Sequence, residues 1–127
     1  MIVIIYNWRL HMRELVKIAK ALSDETRIRM LKLLLEKDIC VCEMEEIFPL
    51  SSSQLSRNLK MLMEAGFLKR WREGKCVVYI ADCDNCNRYC HTLLNMVADS
   101  FNDNEVAQGD RAKLQKVIAD QVREKRK

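Results

Sequence analysis

The chain has 127 residues, 49% of them hydrophobic and 31% charged, a mixture that suits one soluble domain able to bury a core without covalent staples. Three glycines and one proline leave little turn material for a β sandwich, so the composition predicts a mainly helical fold. The formal net charge is +4, and it is unevenly placed: residues 38–50 carry Asp38, Glu43, Glu45 and Glu46 with no base, whereas residues 51–75 carry Arg57, Lys60, Lys69, Arg70, Arg72 and Lys75 against Glu64 and Glu73.

The opening MIVIIYNW is apolar, but no basic residues precede it and it is too short for a signal core or a membrane span. A cytoplasmic protein with no membrane partner is expected. Six cysteines, Cys40, Cys42, Cys76, Cys83, Cys86 and Cys90, in such a chain point towards metal binding or redox chemistry rather than a disulfide framework.

In chain order, Leu15, Ile18, Ala19 and Leu22 recur at helical spacing up to Ser23, read as the cap of the next helix, whose first turn holds Asp24 and Glu25. Ile28, Leu31, Leu34 and Leu35 form the stripe of that second helix. A short third helix fits Val41 to Phe48, with Val41, Met44, Ile47 and Phe48 inward, and Pro49 stops it. Ser51, Ser52 and Ser53 are candidate caps for a fourth helix from Ser52 to Ala65. Its stripe is Leu55, Leu59 and Leu62, and Gly66 is its natural stop.

The period then changes. FLKRWREGKCVVYIAD reads as a β-hairpin turning at Glu73-Gly74 with a basic tip. Helical spacing resumes near Asp84 and runs through Cys86, Cys90, Leu94, Val97 and Phe101. Residues 105–124 fit one more helix, so the chain divides into a domain over 1–104 and a helical, basic extension over 105–127.

Two short helices, a tight turn and a following hairpin make a winged helix-turn-helix, ααααββα, whose fourth helix would enter a DNA major groove while the wing meets the backbone. Ser52, Ser53, Gln54, Ser56, Arg57, Asn58 and Lys60 face outward on that helix. Ser and Gln can read base edges, Arg57 can grip guanine or phosphate, and Lys60, Arg70, Arg72 and Lys75 suit phosphate. Any one of them alone is an ordinary solvated polar residue; together with the charge asymmetry they favour double-stranded DNA. A single short helix reads few base pairs, so a homodimer is expected, with Cys86, Cys90, Leu94, Val97 and Phe101 as its interface stripe.

The order of these elements, with ALSDETRIRMLKLLLEKDICVCEMEEIF and SSSQLSRNLKMLMEAGFLKRWREGKCVVYI, resembles the ArsR/SmtB family of metal-responsive repressors over about Leu15 to Phe101. ICVCEM is similar to the family's arsenic-box sequence. The resemblance implies a homodimer that sits on an operator until a thiophilic ion releases it, with Cys40 and Cys42 as inducer ligands and Ser53, Gln54, Ser56 and Arg57 on DNA. Some arsenic-branch members carry a third cysteine three residues after the second, where this chain has Glu45. The family's zinc pattern in the last helix is absent, His91 being that helix's only histidine.

On a regular helix Cys40 and Cys42 stand about 200° apart, so sharing an ion would require a frayed first turn. Cys83, Cys86 and Cys90 at i, i+3, i+7 would fall within about 60° on one helical face and form a rival three-thiolate set. Cys76 reads as a packed strand residue. Soft thiolates suit As(III) or Sb(III), and equally Cd(II), Pb(II), Zn(II) or Cu(I); disulfide or persulfide sensing is a further alternative, and no obligatory cofactor is expected. No cysteine is paired in sequence with a catalytic histidine, and no phosphate-cradling loop appears, so an enzyme is not expected.

Overall fold

The computed structural model describes residues 2–84 and 86–126, with the backbone alone for 2–10 and 126. The elements follow as α1 (Ile2–Ala21), α2 (Glu25–Glu36), β1 (Ile39–Cys40), α3 (Val41–Ile47), α4 (Ser52–Ala65), β2 (Leu68–Glu73), β3 (Cys76–Ala81), α5 (Arg88–Asp99), α6 (Glu105–Ala119) and α7 (Val122–Arg126). Helix α4 falls on its expected residues because both ends are written locally. Ser51 Oγ accepts from Gln54 N at 3.2 Å while Gln54 Oε1 accepts from Ser51 N at 3.0 Å, and Gly66 closes the helix at φ +95°, a conformation that costs a side-chain-bearing residue energy.

Three local expectations change. Asp24, not Ser23, caps α2, its Oδ1 accepting from Thr26 N at 2.7 Å and Arg27 N at 3.2 Å; Ser23 Oγ instead donates to Lys20 O. Helix α5 begins at Arg88 rather than near Asp84, because Asn87 supplies the cap by accepting from Cys90 N at 2.9 Å. Cys40 is not helical: it lies in β1, and its backbone is extended.

Strand β1 is the element that the sequence pattern hid. The sheet order is β1-β3-β2, all antiparallel, with Cys40 opposite Val78 and the hairpin pairing Glu73 with Cys76. The wing is thus hydrogen-bonded to the chain that leads into α3.

The main core gathers Ile18, Met30, Leu31, Leu34, Met44, Ile47, Phe48, Leu55, Leu59, Leu62 and Phe67, extended by Cys90, Leu94 and Val97 of α5 and by Leu114 and Val117 of α6. Two cations, half-buried Arg29 and buried Lys32, lock the helices. Asp110 accepts from Arg29 Nε at 2.8 Å and Nη2 at 2.7 Å, a bidentate pair joining α6 to α2. Lys32 Nζ donates to Val97 O, Ala98 O and Asn102 Oδ1, so one ammonium satisfies carbonyls that the end of α5 leaves open.

The burial of Cys90 (0% exposed), Leu94 (1%) and Val97 (2%) corrects the expected dimer stripe. Those side chains complete the chain's own core, and of that stripe Phe101 alone is exposed. The large apolar side chains left to water include Met12, Leu15 and Val16 on α1, Met96 on α5 and Phe101 just after it, besides Trp71 on the wing and Val106 and Ile118 on α6. Of the apolar positions that recur at helical spacing along α1, Ile18 is buried and Leu15 is exposed.

Candidate functional site: a three-thiol cluster beside a winged helix-turn-helix

The extended conformation of Cys40 overturns the expectation that Cys40 and Cys42 diverge. With Cys40 at the N-cap position of α3 and Cys42 in the first turn, the two Sγ atoms stand 2.6 Å apart, and no unwinding is needed to bring them together. The third sulfur comes from the wing: Cys76 Sγ is 3.9 Å from Cys42 Sγ, and all three sulfurs lie within 4.8 Å of one another. Thiolates held at about 2.3 Å from one ion stand roughly 3.7 Å apart. The observed spacings bracket that value, so small side-chain rotations suffice.

The environment is dry and acidic. Cys40, Cys42, Cys76 and Val78 form a small apolar cluster separate from the main core, with Val122 of α7 against it. Burial pushes the Cys40 thiol up, and the contact with Cys42 and the Glu43 charge add to it. Cys76 moves the same way, again through burial first and Cys42 second, while Arg123 pulls against the shift. Protonated thiols of this kind are poor spontaneous nucleophiles, and an ion that displaces the protons itself overcomes the barrier. Glu43, 3% exposed, accepts from Cys40 N at 2.9 Å through Oε1, which fixes the backbone of the first ligand.

The second candidate set is not assembled in this way. Cys83 is exposed, Cys86 is half-buried in the loop before α5, and Cys90 points into the main core, its Sγ donating to Ala65 O at 3.1 Å. Because α5 starts at Arg88, Cys83 and Cys86 lie off the helix, and the expected shared helical face does not form. Among the described residues the cysteine, histidine and carboxylate groups that converge on one point are those of Cys40, Cys42 and Cys76.

Cys76 is packed, as its strand position predicts; its thiol neighbours come from the β1–β3 pairing, for which the sequence carries no signal. Glu45, where a local third cysteine would stand, is exposed. The third thiol enters from 34 residues away instead.

On α4, Ser52, Ser53, Gln54, Ser56, Arg57 and Lys60 are all exposed, as are Arg70, Arg72 and Lys75 on the wing. Asn58 is half-buried and accepts from Arg27 Nη1 at 3.0 Å, which assigns it to packing between α2 and α4. Gln54 is engaged in capping, and Arg70 Nη1 donates to Tyr79 Oη at 3.3 Å, so these two are held in place, and Arg57 is exposed.

Residues 24–70 match the family described as bacterial regulatory protein, arsR family, a span that includes Cys40 and Cys42 and stops before Cys76. The chain is 42% identical over 73 residues to the arsenic resistance transcriptional regulator ArsR1 of Pseudomonas putida, covering 54% of this chain and 57% of that protein. It is 39% identical over 70 residues to a cadmium resistance transcriptional regulatory protein CadC homolog of Staphylococcus aureus, covering 54% and 58%. The chain therefore spans less than two thirds of the length of these relatives. Among solved structures, the transcriptional repressor BigR from Xylella fastidiosa superposes with a TM-score of 0.61 at 23% identity, over 79% of this chain and 95% of that one. A homodimeric winged helix-turn-helix domain from Mycobacterium bovis gives 0.61 at 20%, over 76% and 86%. The helix pair and the basic wing agree with the matched segment, and residues 24–70 of the chain carry the helix-turn-helix of the arsR family of bacterial regulatory proteins.

Proposed function

We propose that the protein is a cytoplasmic transcriptional repressor that binds operator DNA as a homodimer and leaves it when As(III) or Sb(III) is taken up by Cys40, Cys42 and Cys76. The observation that carries this reading is the convergence of three buried sulfurs within 4.8 Å at the junction of α3 and the wing. Relatives named for arsenic and cadmium resistance support a thiophilic inducer.

Charge and donor number favour the trivalent metalloids over divalent ions. Three thiolates around a trivalent centre are neutral, whereas around Cd(II), Pb(II) or Zn(II) they leave one negative charge in a site that already holds buried Glu43. Zn(II) also prefers a fourth ligand. The ion supplies the bonds that replace three protons; the chain's own residues do the rest. Cys40 and Cys42 precede the DNA-reading helix through α3, and Cys76 opens the second wing strand, so a shared ion sets the wing against the helix pair. A hundredfold preference for the DNA-incompetent arrangement is worth about 2.7 kcal/mol.

DNA contact falls to Ser52, Ser53, Gln54, Ser56, Arg57 and Lys60 on α4 and to Arg70, Arg72 and Lys75 on the wing. The dimer forms through the apolar faces of α1 and α5, where Met12, Leu15, Val16 and Met96 are exposed. We assign residues 1–104 to the DNA-binding and dimerisation domain and 105–127 to an extension that braces it; no obligatory cofactor and no catalysis are part of the reading.

The test is operator release measured by fluorescence anisotropy while arsenite, antimonite, Cd(II), Zn(II) and a persulfide donor are titrated. Release by the metalloids at lower concentrations than by the others is expected. Release by the persulfide donor alone would replace the reading with thiol oxidation.

A further inference from the structure

A single guanidinium stands behind the thiol cluster. Arg123 of α7, 15% exposed in its side chain, donates through Nη2 to Glu43 Oε1 at 2.8 Å and to Asp38 O at 3.1 Å, and through Nε to the same Glu43 oxygen at 3.2 Å. Its Nη1 lies 3.4 Å from Asp38 Oδ2 and 3.6 Å from Glu73 Oε2. Each of these carboxylates sits beside one thiol: Asp38 two residues before Cys40, Glu43 next to Cys42, and Glu73 opposite Cys76 across the hairpin. Glu43 Oε1, gripped by Arg123, is also the acceptor for Cys40 N at 2.9 Å.

We propose that Arg123 is a positioning residue of the Cys40, Cys42 and Cys76 site, acting through Glu43 on the extended Cys40 backbone and through Glu73 on the base of the wing. The inference rests on the thiol-site reading above and adds that the C-terminal helix, well outside the segment matched to the family, sets how tightly the site holds its ion. The physical ground is charge. Three carboxylates converge on one cation, and without it the buried carboxylate of Glu43 has no counter-charge and must turn towards water, releasing Cys40 N–H and loosening the first ligand. Arg does this better than Lys, because its planar fork reaches several oxygens at once whereas an ammonium is a point charge.

The experiment is a titration of the full chain with arsenite, followed by the thiolate-to-arsenic absorption in the near ultraviolet, with thermal melts of the ion-free proteins alongside. For Arg123→Met we expect one arsenite per chain still bound but about tenfold more weakly, the size usual for loss of a group that orients a ligand. Arg123→Lys should recover part of that loss. Arg29→Met breaks another link of the C-terminal segment, to buried Asp110, and serves as the structural control: its melt should fall while its arsenite affinity stays within about twofold of wild type. Should Arg123→Met fail to fold, Glu43→Gln keeps an acceptor for Cys40 N but removes the charge that Arg123 grips, and it should also weaken binding.

Wild-type affinity in Arg123→Met, or an equal loss in Arg29→Met, overturns the proposal alone. Undiminished arsenite binding by the triple variant Cys40→Ser/Cys42→Ser/Cys76→Ser overturns the thiol-site reading and this proposal with it.

Discussion

Cys40, Cys42 and Cys76 lie on pieces of chain that a sheet pins together, whereas Cys83, Cys86 and Cys90 follow one another along a loop and the helix it enters. On spacing alone the second group is the better chelator, since it fits one helical face. In the fold the ranking reverses. The helix that would have aligned Cys83 with Cys86 starts too late, and Cys90 is drawn into the main core, while the extended backbone of Cys40 and the β1–β3 pairing turn an awkward C-x-C pair into a three-sulfur site. Proximity in sequence supplies ligands only where the local backbone has the assumed geometry; a sheet supplies them from a distance.

The sharpest way to break this contrast is Cys40→Ser/Cys42→Ser, which should raise the arsenite concentration for operator release at least about a hundredfold, as expected when two of three soft ligands are lost. Cys76→Ser leaves a two-thiolate site and should cost about tenfold, read by the same anisotropy titration. If Cys76→Ser responds like wild type, the wing thiol is packing and nothing more.

A smaller effect separates the two groups by stability. Cys90→Ala removes a buried sulfur and its bond to Ala65 O, and should cost about 1–2 kcal/mol in urea unfolding with arsenite release unchanged. Titration offers a related check. Burial, with the charges of Cys86 and Glu14, pushes the Cys90 thiol up to about 11. The folded protein thus holds this proton more tightly than the unfolded chain, so the stability it contributes is complete below the ordinary thiol range of about 8.5 and is lost as pH rises towards 11. Native-state alkylation of Cys90 should accelerate only in that upper window. The least effect belongs to Cys83→Ser/Cys86→Ser: release within about twofold of wild type, although exposed Cys83 should be the first thiol labelled by iodoacetamide.

The sequence by itself determined whatever depends on neighbours a few residues apart. The Ser51/Gln54 capping box, the leucine stripe, Gly66 and the Glu73-Gly74 turn place α4 and the wing without reference to the rest of the chain, so the winged helix-turn-helix and its basic face were legible. The thiol pair was legible as chemistry too. Only the tertiary structure decided that Cys40 is extended, that Cys76 joins it from 34 residues away, and that Arg123 closes on Glu43 from 80 residues away. Burial of Cys90, Leu94 and Val97 in the chain's own core was decided there as well. The reason is physical: caps and turns are satisfied within one turn of chain, whereas a two-residue strand and a buried ion pair exist only because distant segments satisfy their polar groups.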